Sequence, residues 1–149
     1  MKIERYYFKG GQVTIVDKVN CDTFRWTMTV GTAAGYSTEA RARMPEEKLA
    51  ALFQRIAAEV MAAGGAYISA VLVPSRVLYH TDWGCPEGGE LTYTFSGSCN
   101  PAFAAPEAYR RALDEVARRL QRELSQATVL LELMPAELVY YREEGEGPA

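Results

Sequence analysis

The sequence predicts an α+β fold in two layers, with two amphipathic helices packed on one face of a twisted, mainly antiparallel sheet. Several segments alternate apolar and polar residues with a period of two, as strands do when one face is in water. Two longer segments repeat apolar residues at helical spacing, and each separates one group of strand-like segments from the next. We expect a single domain over residues 1–143 and a disordered acidic tail over residues 144–149.

The N-terminal third of the chain is predicted to form antiparallel strands. In the clearest of them, Phe24, Trp26 and Met28 share one side, while threonines and Arg25 occupy the other. Glycine and asparagine turns separate this strand from its neighbours, and the turn before it falls at residues 20–22. The strands predicted in this part are residues 2–8, 13–19, 23–30 and 36–44.

Two helices are predicted from their end signals as well as from their apolar stripes. Pro45 opens the first helix, where its missing N–H costs no hydrogen bond, and Gly64–Gly65 end that helix in a left-handed cap. Pro106 opens the second helix. Its outer faces carry interleaved arginines and acids, which compensate one another and predict a solvated surface.

The remaining strands are predicted between and after the helices. Residues 66–73 are apolar on both faces, which favours a buried central strand. Pro135 predicts a turn between two final strands, and the whole sheet then has roughly eight strands. The strands predicted in this part are residues 66–73, 77–82, 91–96, 128–134 and 138–142.

Composition excludes several classes of protein. A net charge of −3 and a pI near 5.3 lack the overall basic surplus that is usual in nucleic-acid binders, which leaves only a local basic patch as an alternative. No apolar run approaches the ~20 residues of a membrane-spanning helix, and residues 1–11 are too charged for a signal peptide. Three cysteines at irregular spacing predict reduced thiols. We therefore expect a cytoplasmic protein with no nucleic-acid or membrane partner.

The first candidate site surrounds the only histidine. His80 and Asp82 lie two residues apart on a predicted strand and therefore on one face, where a carboxylate can orient an imidazole as a general base. Glu87 and Glu90 follow on the long loop before the next strand and supply a second acid. These four residues are the candidate catalytic groups of an isomerase or lyase. The alternative is a surface ion pair at a strand end.

A metal or cofactor site finds no support in the same segment. His80, Cys85 and Cys99 are residue types that bind zinc, but they lack the paired spacing of a zinc site. A cysteine nucleophile with His80 as its base has no supporting local motif. The glycine pairs lead into no helix and match no phosphate-binding loop, so we expect no metal and no cofactor.

The second candidate site is the polar face of the N-terminal strands. Arg25, Arg41 and Arg43 would converge there if their strands pair in line, with Trp83 on the nearby loop. Guanidinium groups on a hydroxyl-lined surface suit a carboxylate or phosphate. The alternatives are a solvated sheet face, or a face covered by a second subunit, which would make the protein a homo-oligomer.

These observations leave the function open between three classes. The first is a ligand-binding or regulatory domain for a small polar or anionic molecule. The second is a small acid–base enzyme, an isomerase or lyase, that uses His80 and Asp82. The third is a structural module that associates with itself. No family is identified from these motifs.

Overall fold

A computed structural model describes residues 2–6, 16–33 and 43–143, with side chains described for residues 19–33 and 43–142. This part of the chain folds into two helices and a five-stranded sheet, together with one short 3-10 turn at Thr81–Trp83. The elements are β1 (Lys2–Tyr6), β2 (Val16–Gly31), α1 (Glu46–Ala62), β3 (Val71–Val77), β4 (Glu90–Ser98), α2 (Pro106–Glu123) and β5 (Leu130–Glu143).

The sheet is organised around β2, its longest strand. β5 pairs antiparallel with β2 from Val16 to Thr29 and so occupies one edge of β2. The other edge is divided, because β1 pairs with residues 16–20 and β4 pairs with residues 25–31, both antiparallel. β3 extends the sheet beyond β4. The predicted α+β fold with an antiparallel sheet is therefore confirmed.

Both helices pack on one face of this sheet and close the hydrophobic core. Trp26, Met28 and Val30 project from β2 into that core, and each is at most 1% exposed. Phe53 of α1 stacks on Phe95 of β4 with ring centroids 4.7 Å apart. The helical residues buried in the core include Leu49, Ile56, Leu113, Val116 and Leu120.

The helix ends lie where the sequence predicts them. α1 begins directly after Pro45, and Gly64 follows its end with a left-handed φ of 97°. α2 begins at Pro106. Proline supplies a helical φ without needing a hydrogen-bond acceptor, and glycine adopts a positive φ without strain, so both signals act locally. None of the described helices is long and apolar enough to cross a membrane.

Two turns predicted inside the sheet are wrong. β2 continues through residues 20–22, where it pairs with β5, so the predicted turn is part of the longest strand. β5 likewise runs through Pro135 as one strand. It lies at an edge of the described sheet, where a residue without an N–H group is tolerated. The described sheet accordingly has five strands rather than eight.

The prediction of a buried central strand at residues 66–73 is also wrong. β3 begins only at Val71, and among the described strands it pairs with β4 alone. Val71 is 62% exposed because one face of β3 has no helix over it. Apolar residues on both faces of this segment predicted that both faces are buried. In the structure one face packs against the core and the other is exposed. The predicted strand at residues 36–44 falls mostly outside the described residues, as does the tail at 144–149, and the single domain stays a prediction.

Candidate functional site

The face of the sheet opposite the helices is rich in hydroxyl groups and small apolar side chains. Cross-strand partners in antiparallel pairs point to the same side, so the register defines this surface, which we call the open face. Its members are Arg25, Thr27, Thr29 and Gly31 of β2, Glu90, Thr92, Thr94 and Ser96 of β4, Val71, Val73, Ser75 and Val77 of β3, and Leu130, Glu132 and Met134 of β5.

A cavity of about 220 Å³ lies at one end of the open face, and we call it the open-face pocket. The end of β2, the start of β4, the end of β3 and the loop between α2 and β5 meet there. The residues that line it are Thr29, Gly31, Val77, Glu90, Thr92, Gln126, Ala127, Thr128 and Leu130.

Glu90 gives the open-face pocket its charge. It is the one ionisable side chain among the described residues that line the pocket, and it is partly buried where it pairs with Val77 of β3. The hydroxyl group of Tyr79 donates a hydrogen bond to its Oε2 atom over 3.4 Å. A carboxylate beside a partly apolar wall attracts a cation more strongly than one in bulk water, because less solvent screens it.

Four hydroxyl groups form a hydrogen-bonded chain that leads along the open face into the pocket. Thr94 donates to Ser75 over 2.9 Å, and Ser75 lies 2.9 Å from the Thr92 oxygen. Thr29 lies 3.4 Å from Thr94, whose only proton is already used, so Thr29 is the donor there. If all the hydrogen bonds of this hydroxyl series run in the same direction, the Thr92 hydroxyl can donate its proton to an acceptor in the pocket.

His80 and Asp82 are brought together, but at the surface. His80 Nδ1 lies 3.4 Å from Asp82 Oδ2, and the two side chains are 63% and 82% exposed. The same Nδ1 atom accepts the backbone N–H of Asp82 over 3.1 Å and so caps the 3-10 turn. β3 ends at Val77, so the pair lies on this turn and not on a strand.

Of the four candidate catalytic residues, only Glu90 lines the open-face pocket. Glu87 is exposed on the turn before β4. Trp83, a candidate ligand-binding residue, is 80% exposed and meets the His80 ring edge-on at 6.2 Å. The exposed turn therefore lacks the enclosed geometry that a general base requires.

The candidate arginines do not converge in the described residues. Arg25 pairs with Ser98 at one end of β4. Arg43 lies near the other end, where its guanidinium donates to the Thr92 carbonyl over 3.4 Å and lies 5.5 Å from the Tyr93 ring centroid. Six residues of strand, roughly 20 Å, separate the two positions. Arg41 lies outside the described residues.

The three cysteines are buried and unpaired. Burial raises the pKa of the Cys99 thiol, which disfavours the thiolate that a nucleophile or metal ligand requires. Among the described residues no group of histidine, cysteine and acidic side chains is arranged to hold a metal ion.

Sequence reasoning missed several residues of the pocket. Gln126, Thr128 and Leu130 follow α2 and reach the pocket only because β5 pairs with β2. No local motif marks them. The alternation of hydroxyl residues in β2 and β4 was the one available signal, since it predicted a polar face on those strands.

One family model and one solved structure are similar to this chain. The family model for SAM lyase matches residues 21–142, which include every residue that lines the open-face pocket. A solved structure of a phage SAM lyase in complex with S-methyl-5′-thioadenosine is similar in fold, with a TM-score of 0.52 and 15% sequence identity over 81% of this chain and 89% of that chain. No curated protein matches the sequence.

Proposed function

This chain belongs to the SAM lyase family, and we therefore propose that it cleaves S-adenosylmethionine (SAM) in the open-face pocket. The family match carries the proposal, because it spans the strands and the loop that build the pocket. It favours the lyase among the three functions considered from the sequence. The bound S-methyl-5′-thioadenosine of the phage enzyme is the thioether that remains when SAM loses its amino-acid side.

The reaction breaks the bond between the sulfonium sulfur and Cγ of the amino-acid side. Both electrons pass to sulfur, which becomes the neutral thioether of methylthioadenosine. The four-carbon fragment is completed in one of two balanced ways. Its own carboxylate attacks Cγ and closes a lactone, with no proton released. Alternatively, a base removes a proton from Cβ and leaves 2-aminobut-3-enoate, with one proton released.

Glu90 is the residue that suits this chemistry. SAM carries two positive centres, the sulfonium and the α-ammonium, and a half-buried carboxylate attracts either of them. The Tyr79 hydroxyl holds this carboxylate in place. Thr29 and Thr92 add hydroxyl groups beside it for polar atoms of the nucleoside or of the amino acid. The proposal needs no group from the exposed turn that carries His80 and Asp82.

The test is the release of methylthioadenosine from SAM by the purified full-length protein, followed by chromatography. Glu90→Gln should lower kcat/KM by about 100-fold or more, because it removes a negative charge that faces the cationic substrate. Glu87→Gln is the matched control on the exposed turn and should stay within about twofold of wild type. Identification of the four-carbon product separates the two routes. A wild-type protein that releases no methylthioadenosine would overturn the proposal.

We also propose that copies of the chain associate through the open face. Val71, Val73, Leu130 and Met134 are apolar, lie on this face and are between 40% and 62% exposed. Val71 and Val73 lie on β3 and Leu130 and Met134 on β5, at the two edges of this face, and exposed apolar side chains favour contact with a second such surface. We place the protein in the cytoplasm, where SAM is made and where its buried free thiols stay reduced.

A further inference from the structure

The Gln126 side chain lies near Glu90, and the proposed reaction does not use it. Gln126 follows the end of α2, and its backbone N–H donates to the Gln121 carbonyl over 2.9 Å. Its side-chain amide nitrogen donates to two backbone carbonyls, those of Ala33 and Leu124, the latter over 3.0 Å. The side chain therefore ties the end of β2 to the end of α2.

These two bonds determine which way the amide points. An amide nitrogen has two N–H donors, and both are used here by carbonyl oxygens. The flipped orientation would place Oε1 against the same two carbonyl oxygens, which is repulsive. The Oε1 atom is therefore held in the other direction, towards the open-face pocket that Gln126 lines.

Gly31 leaves room for this oxygen and for that of Glu90. A Cβ atom added to Gly31 would lie 2.6 Å from Gln126 Oε1 and 3.2 Å from Glu90 Oε1. Two oxygen acceptors, one of them anionic, thus approach the same point beside β2. The absence of a side chain at Gly31 therefore lets both oxygens approach β2 closely.

We propose that Gln126 Oε1 and Glu90 Oε1 together bind the α-ammonium group of SAM; this inference rests on the proposed function. The ammonium carries three N–H donors and no acceptor, so on leaving water it requires oxygen acceptors around it. The sulfonium has no N–H donor, so an amide oxygen attracts it only through the dipole of the amide and forms no hydrogen bond with it. In this proposal Gln126 recognises the amino-acid side of the substrate.

The test compares two ligands that share the nucleoside thioether and lack the sulfonium. S-adenosylhomocysteine keeps the α-ammonium, and methylthioadenosine does not. Isothermal titration calorimetry measures both ligands against wild type, Gln126→Leu and Gly31→Ala. Gln126→Leu should weaken S-adenosylhomocysteine by about tenfold, the effect of losing one hydrogen bond to a charged group, and should leave methylthioadenosine within twofold. Gly31→Ala fills the same space from β2 and should give the same pattern.

Gln121→Leu is the matched control. Gln121 lies in α2, and its side-chain amide donates a hydrogen bond over 3.2 Å to the carbonyl of Ala127, in the loop that also holds Gln126. Gln121 does not line the pocket. This change should weaken neither ligand. Equal weakening of both ligands by Gln126→Leu and by Gly31→Ala, or no weakening of either, would overturn the inference and leave the lyase proposal standing. Wild-type protein that binds neither ligand and does not consume SAM would overturn the proposed function itself.

Discussion

Trp26 and Tyr109 provide the buried polar contact that joins α2 to the sheet. The Trp26 indole N–H donates to the Tyr109 hydroxyl over 2.8 Å, and the two residues are 0% and 4% exposed. Phe24 meets the Tyr109 ring edge-on at a centroid distance of 5.7 Å. Burial raises the pKa of the Tyr109 hydroxyl, so this group stays neutral throughout the working range of pH.

Tyr109→Phe should lower the free energy of unfolding by about 1–3 kcal/mol, because it leaves the buried Trp26 N–H without an acceptor. Urea unfolding followed by tryptophan fluorescence measures the loss. Tyr67→Phe is the control, since Tyr67 is 53% exposed and its hydroxyl is accessible to water. Equal stability of the two variants would mean that the indole N–H finds another partner.

The two helices are held to each other by charges on their outer surface as well as by the core. Arg55 and Glu59 of α1 are 3.5 Å apart, and each also contacts α2: Arg55 pairs with Glu123, and Glu59 pairs with Arg119. The hydrogen bond from Arg119 lowers the pKa of Glu59. All four side chains remain partly exposed, so solvent screens the network and each pair contributes little.

Glu59→Gln should reduce stability at neutral pH and change its dependence on acid. The folded-state pKa of Glu59 lies below its ordinary value, so its contribution is present above that ordinary value, about 4.3, and is lost as the pH falls through the folded pKa. Wild type and variant should therefore differ near neutrality and converge in acid. Urea unfolding across this range measures the difference. Glu137→Gln on the exposed side of β5 is the control, and parallel curves for wild type and Glu59→Gln would contradict the prediction.

The described part of the molecule has two layers, and neither described helix covers the open face of its sheet. Both helices lie on the core face, so the opposite face carries the open-face pocket and exposed apolar side chains together. Under the proposals above, this surface binds the substrate at one end and a second copy of the chain along the rest. Substrate binding and self-association are therefore expected to share one face of the sheet.

Val73→Glu should dissociate any assembly formed through the open face, because it places a charge beside Val71 on a surface that would be buried on association. Size-exclusion chromatography with light scattering measures the mass of wild type and variant across a range of concentration. Met61→Glu on the outer side of α1 is the matched control, since Met61 is 49% exposed and lies away from the open face. Wild type that remains monomeric at high concentration would contradict the prediction.

The parts of the fold that the sequence predicted correctly depend on neighbours within one helical turn or a few residues of strand. Pro45, Pro106 and Gly64 act on their own backbone angles, so the helix ends required no knowledge of the tertiary structure. The alternation from Phe24 to Val30 separated core from open face for the same reason. The strand breaks at residues 20–22 and Pro135 were wrong because pairing between β2 and β5, more than a hundred residues apart, overrides local turn preference.

For the site, local sequence patterns predicted Glu90 as a candidate residue on the loop before β4 and a hydroxyl-rich face on β2. It favoured His80 and Asp82 because they are rare and two residues apart, and the end of β3 at Val77 left them on an exposed turn. Only the tertiary structure brought Glu90 together with Gly31 and Gln126. This pocket depends on the register of paired strands and on the packing of a loop against them. Both join segments that are far apart in the sequence, so the spacing of nearby residues could not predict the pocket.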